Sequence, residues 1–167
     1  IFNIILDLGI NNFNTRNIAQ NNQLIKKHFS RIFTLKLILS LLYLLILIFV
    51  GFLFEFSLNE IKWLVIIGFN QVLVGIILYL RSNLSALLLF KRDGFLSVID
   101  RLILILFCGY FIWVKTNHSI ISIDFFILSQ TFAYLLTISI GLFSLIKFSK
   151  IPKIQWDKLF FALIIKK

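Results

Sequence analysis

IFTLKLILSLLYLLILIFVGFLF, residues 32–54, carries a single charged side chain, Lys36, in a run otherwise made of aliphatic, aromatic, hydroxyl and glycine residues. At ~1.5 Å per helical residue the run reaches about 34 Å, against a bilayer hydrocarbon core of roughly 30 Å. Three further apolar runs, 63–80, 98–114 and 120–146, reach about 27, 25 and 40 Å by the same measure. Each is long enough to cross once. The pattern predicts an all-α, polytopic transmembrane helix bundle. A truncated helix at 1–10 precedes these four, and an incomplete amphipathic or membrane segment at 154–167 follows them.

The charges between the runs set an orientation. Residues 11–31 carry Arg16, Lys26, Lys27 and Arg31, whereas 55–62 carry only Lys62 beside Glu55 and Glu60. Residues 81–97 return to Arg81, Lys91 and Arg92, with Arg101 just inside the next run. The gap at 115–119 holds only Lys115, and 147–158 again holds Lys147, Lys150, Lys153 and Lys158. Because cytoplasmic loops retain Lys and Arg, the three rich gaps are expected inside and the two poor ones outside. The stub at 1–6 then ends a crossing that exits into the cytoplasm.

Composition agrees, with 60% hydrophobic residues and a mean hydropathy of +0.99. A net charge of +10 would point to nucleic acid in a soluble domain. Here the positive charge is confined to short loops beside apolar helices, so membrane lipid headgroups are the expected partner and nucleic acid is not. The chain has no methionine, begins mid-way through an apolar stretch and stops within IQWDKLFFALIIKK (154–167), which predicts that it is a piece of something larger. Cys108 is the one cysteine, so no intrachain disulfide can form.

Polar residues inside the runs fall on faces. Gln130, Tyr134, Thr137, Gly141 and Ser144 recur at steps of four and three, as do Gln71, Gly75, Tyr79 and Ser82. Lys36, Ser40 and Tyr43 share a face, and Arg101 and Cys108 lie two turns apart. Two explanations stay open for these stripes: close helix packing through small and hydroxyl side chains, or the lining of a polar cavity. Asn70 and Gln71 lean toward a cavity, because they sit near the middle of their run, where an amide facing lipid is costly. Lys36, five residues into its helix, can snorkel to headgroups. Arg81 can act as an interfacial anchor. Ser97 and Asp100 read as a capping box opening the third run, and Asp100 and Arg101 point about a third of a turn apart, which does not favour an ion pair. Arg101 is the better candidate for a cavity cation.

No Ser-His-Asp set, metal-ligand spacing or glycine-rich phosphate loop is present, and His28 and His118 belong to opposite faces. The sequence gives no catalytic residue, no metal site and no cofactor, and predicts that the chain is not an enzyme.

The segments FNIILDLGINNFNTRNIAQ (2–20) and YLRSNLSALLLFKRDGFLSVIDRLILIL (79–106) resemble the oligosaccharide flippase family, the polysaccharide-biosynthesis branch of the superfamily of multidrug and lipid-linked saccharide exporters. Residues 2–20 are similar to the family's second transmembrane helix, with its Asp7-Leu8-Gly9 step and a following Arg16. Residues 79–106 are similar to the junction of the fourth and fifth helices, with Arg81 and the Asp100–Arg101 pair. The resemblance implies most of the N-terminal lobe of a two-lobe flippase in the bacterial inner membrane. It implies a polyprenyl-pyrophosphate-linked oligosaccharide as substrate and the glycan polymerase machinery as a partner. On that reading Arg16, Lys36, Asn70, Gln71, Arg81, Arg101, Gln130 and Tyr134 are substrate-pathway candidates. A cation-coupled multidrug exporter of the same fold and a noncatalytic membrane scaffold remain the alternatives.

Overall fold

The computed structural model describes residues 4–7, 9–114, 123–146 and 148, and every regular element among them is helical. Two short helices, α1 (Ile4–Asp7) and α2 (Ile10–Gln20), and a 3₁₀ turn at Asn22–Leu24 lead into α3 (Ile25–Leu53), α4 (Leu58–Ala86), α5 (Phe90–Val114) and α6 (Ile123–Ile146). Each of the last four contains a span long and apolar enough to cross a membrane. The chain is a multi-pass membrane protein, an all-α bundle. In hydrocarbon every backbone amide must be bonded within its own segment, so apolar runs of this length become helices.

The single helix expected over 1–10 is instead broken. Gly9 has φ +75°, a left-handed conformation that ends α1 and from which α2 starts. The break leaves the Asn11 amide to donate to the Asp7 carboxylate at 3.3 Å. The expected segment at 154–167 lies outside the described residues, as do the loop at 115–119 and residues 120–122.

At the ends rich in Lys and Arg the helices outrun the apolar runs. α3 begins at Ile25 and α4 continues to Ala86, each 29 residues or about 44 Å. Hydropathy marks only the part of a helix that meets lipid, while the hydrogen-bond ladder continues through polar turns beyond it. α5 likewise begins at Phe90, so Ser97 is two turns inside the helix and its hydroxyl donates to the Gly94 carbonyl at 2.7 Å. The capping box expected at Ser97–Asp100 is therefore not formed. One forms at α4: the Glu60 amide donates to Ser57 Oγ at 3.4 Å, and the Ser57 amide donates to Glu60 Oε2 at 2.7 Å.

Two tight turns join α3 to α4 and α4 to α5. In each, one amide bonds back five residues and its predecessor three: Phe56 to Gly51 and Glu55 to Phe52 in one turn, Leu89 to Leu84 and Leu88 to Ser85 in the other. The left-handed position usually given to glycine is held by Glu55 (φ 54°) and Leu88 (φ 59°).

α4 is the central helix and packs against α2, α3, α5 and α6. Gly68 lets α3 approach it: a Cβ there would stand 2.5 Å from Leu47 Cδ1. Gly141 does the same for α6, with Leu80 Cδ1 at 2.9 Å. The main core lies toward the basic end of the bundle, where Ile18, Phe29 and Ile32 meet Tyr79, Leu84, Leu96 and Leu145. Toward the charge-poor end α5 and α6 are joined by Phe107, Phe111, Phe125 and Phe132, with ring centroids 5.0–6.1 Å apart. α5 is an edge helix, since only 11% of its apolar stretch is buried against 39% for α4.

Candidate functional site

Gln71, Val74, Leu78 and Arg81 are spaced three, four and three residues apart, which places them on one face of α4. That face forms the ridge between two small cavities. One, of about 70 Å³, is bounded by Leu6, Asp7, Asn11 and Lys36 from the preceding helices and by Gln71 and Gly75 of α4. The other, of about 230 Å³, is bounded by Arg81 and Ile77 of α4 and by Leu96, Ser97, Asp100 and Arg101 of α5. Val74 and Leu78 line both. Together they make a furrow along the side of α4, and it brings together Lys36, Gln71, Arg81 and Arg101 from the candidates.

Lys36 does not snorkel. It is 5% exposed, and its ammonium donates to Asp7 Oδ1 at 2.9 Å and to the Leu6 carbonyl at 3.3 Å. The break at Gly9 explains this, because it frees a carbonyl and turns Asp7 toward α3, and a buried ammonium needs such partners. Nor is Arg81 a plain interfacial anchor: its Nε donates to Asp93 Oδ1 at 2.7 Å, and Ser85 Oγ holds the other oxygen of that carboxylate at 2.7 Å. Asp100 and Arg101, which their angular separation did not pair, do approach, with 3.8 Å between Arg101 Nε and Asp100 Oδ2. This contact is loose. The Arg101 side chain stays 77% exposed, and Asp100 Oδ1 is buried with no hydrogen-bond partner among the described residues.

The furrow's three cations are thus each matched with a carboxylate, two tightly and one loosely. Lys36, Arg81 and Arg101, expected from the sequence as a snorkelling lysine, an interfacial anchor and a cavity cation, are a set of resident ion pairs. An incoming anion can displace a carboxylate most readily at Arg101, which gives up the least. Asn11 Oδ1 is also buried, with no hydrogen-bond partner among the described residues, and Asn11 borders the smaller cavity.

The other candidates lie elsewhere. Asn70 is consumed between helices: its amide nitrogen donates to the Ile127 carbonyl at 3.3 Å and its oxygen accepts from Thr131 Oγ1 at 2.7 Å. Gln130 donates to the Tyr134 hydroxyl at 2.7 Å, and Tyr134 is buried against Leu73 and Ile77 behind the furrow. Arg16 is exposed on α2 and lines neither cavity. The α4 stripe divides likewise. Gln71 and Gly75 face a cavity, while Tyr79 is fully buried and donates to the Phe29 carbonyl at 2.8 Å. Ser82 accepts from Asn14 Nδ2 at 3.2 Å.

Sequence reasoning missed Asp93 as the partner of Arg81, and it missed the packing of α2 on α4. There Asn14 Nδ2 also donates to Asn83 Oδ1 at 3.0 Å and Asn83 donates to the Tyr79 carbonyl at 2.7 Å. Starting α5 at Phe90 would have placed Asp93 one tight turn from the end of α4; no hydropathy signal marks the asparagines. No family model, curated protein or solved structure matches this chain.

Proposed function

We propose that this chain is a lobe of a flippase that moves a polyprenyl-pyrophosphate-linked oligosaccharide across the bacterial inner membrane for surface polysaccharide synthesis. The observation that carries the reading is the furrow on α4, with Arg81 and Arg101 in one cavity and Lys36 and Gln71 in the next. A pyrophosphate leaving water for a low-dielectric path needs compensating charge, and poor screening makes each cation count for more than on a surface. Arginine offers a planar fork that fits phosphate oxygens on two sides. Asp7, Asp93 and Asp100 balance the furrow's three cations, and Asp100, the loosest partner, gives way to the anion when it arrives. Gln71, Ser97 and Asn11 supply neutral hydrogen-bonding groups for sugar hydroxyls.

In the intact native protein, Arg101→Ala abolishes surface glycan export at unchanged membrane abundance, and Arg101→Lys restores part of it. Normal export by both Arg81→Ala and Arg101→Ala removes the furrow from the substrate path. An alternative reading has its own support. Asn70, Tyr79, Asn83 and Gly141 are all used in holding helices together, as a membrane scaffold requires. A scaffold tolerates both arginine substitutions in transport assays and loses assembly with its partners when helix packing is disturbed.

A further inference from the structure

Another concavity lies on the opposite half of the α3–α4 hairpin, next to the turn at 54–57. It has a volume of about 440 Å³ and opens sideways between the two helices. Its walls are apolar and aromatic, with Leu64 and Trp63 on α4 and Phe56 in the turn. Its inner end is closed by Tyr43 against Gly68. Along α4 the lining runs from Glu60 to Gly68, eight residues or about 12 Å, close to half of a hydrocarbon core of roughly 30 Å. The groove is thus close to the length of one lipid tail, with its mouth beside the 54–57 turn.

Charge at the rim distinguishes this groove from an ordinary lipid-facing surface. Glu60 lines the mouth. Its Oε2 is taken by the Ser57 amide and hydroxyl at 2.7 and 2.8 Å, which leaves Oε1 with no protein partner among the described residues. Two residues on, the Lys62 ammonium lies 5.4 Å from the centroid of the Trp63 ring, and that ring forms part of the groove. A free carboxylate oxygen thus stands at the mouth of a tail-length apolar slot, and an exposed ammonium lies against the Trp63 ring in its wall. We propose that the groove binds one tail of an amine-bearing phospholipid from the leaflet beside the 54–57 turn, its ammonium donating to Glu60 Oε1 and its phosphate facing Lys62. A primary ammonium offers hydrogen-bond donors that a quaternary choline headgroup lacks, so the site prefers phosphatidylethanolamine to phosphatidylcholine. Glu60 disfavours an anionic lipid lacking an amine. This inference is independent of what the furrow transports.

The tryptophans supply both probe and control. Trp63 lines the groove, whereas Trp113, on α5, is 87% exposed and lines no described cavity. Two single-tryptophan forms of the chain, one keeping Trp63 and one keeping Trp113, are placed in phosphatidylcholine nanodiscs. Each is titrated with phosphatidylethanolamine or phosphatidylcholine brominated in the tails, and contact quenching is recorded. At Trp63 the relative binding constant favours brominated phosphatidylethanolamine by about fivefold, equivalent to about 1 kcal/mol; at Trp113 the two lipids quench equally. Glu60→Gln keeps the capping box, since glutamine serves at that position, yet removes the charge, and it equalises the two lipids at Trp63. Equal quenching at Trp63 in the unaltered site, a preference that survives Glu60→Gln, or the same preference at Trp113 overturns the proposal.

Discussion

At the basic end of the bundle Tyr79 stacks on Phe29 with ring centroids 5.6 Å apart and bonds to its carbonyl, Asn14 bridges α2 to α4, and Lys36 ties α3 to α1. At the charge-poor end, by contrast, α5 and α6 meet through phenylalanine rings, and α3 and α4 meet at a glycine and then part around a groove. The helices are apolar throughout their spans, so hydropathy does not explain the difference. Between helices in lipid there is little hydrophobic drive, because the tails are as apolar as leucine. Association then depends on hydrogen bonds, ion pairs and close fit. These are concentrated at the basic end, which is the rigid platform. The opposite end, where Asn70 bonds to Ile127 and Thr131 of α6, is otherwise held by shape and leaves space for lipid.

The largest effect is expected from the ion pair that anchors α1 to the platform. Lys36→Leu strands a carboxylate against α3 and destabilises the chain by about 3 kcal/mol, the lower part of the range for breaking a buried pair, because Asp7 is 39% exposed. Removing both partners together, Lys36→Leu with Asp7→Leu, recovers most of that loss. Denaturation in detergent, followed by helical circular dichroism, checks both. Equal losses in the single and double variants show that the pair does not join the two helices.

Next comes packing. Gly141→Leu forces a side chain against Leu80 and Leu96 and costs roughly 2 kcal/mol by overpacking. Residues of similar size placed in the aromatic contacts, as in Phe132→Leu, cost less than about 1.5 kcal/mol. A reversed order would mean that the charge-poor end is the tighter one. Proteolysis rates of the two variants in detergent give the comparison.

Smaller again is Tyr79→Phe, which keeps the stack on Phe29 and removes one buried hydrogen bond, for a loss of about 1 kcal/mol. It leaves the Phe29 carbonyl with its place in the helix ladder, so thermal unfolding shifts by only a few degrees. No shift would show that stacking alone fixes this contact.

The number and order of the membrane helices were legible because a run such as 120–146 has to form its backbone bonds internally, whatever surrounds it. The furrow was only half legible. Arg81 and Arg101 stood out as charges beside apolar runs, and Gln71 stood out as an amide in mid-span. Their partners did not. Asp93 meets Arg81 only because α5 begins at Phe90, among residues too polar to register as membrane helix. Asp7 meets Lys36 only because Gly9 takes a left-handed turn. Asn70 sat at the depth expected for a cavity residue, yet its bonds go to α6, because an amide in hydrocarbon is satisfied as well by a neighbouring helix as by water or ligand. Spacing along one helix shows which residues share a face but not what that face meets.

The proposed transport role requires that the face of α4 between its two cavities be reached by water, unlike the lipid-facing surfaces around it. With Cys108 replaced by serine, single cysteines at Gln71 and Leu78 on the furrow, and at Ile105 and Leu135 on exposed apolar faces of α5 and α6, can be tested with a small charged methanethiosulfonate reagent in membranes. Such reagents modify thiolates in water and do not reach thiols facing hydrocarbon. Modification at 71 and 78, slowed by added inorganic pyrophosphate, with 105 and 135 inert, is the predicted result. Inertness at 71 and 78 equal to that at 105 and 135 would contradict it.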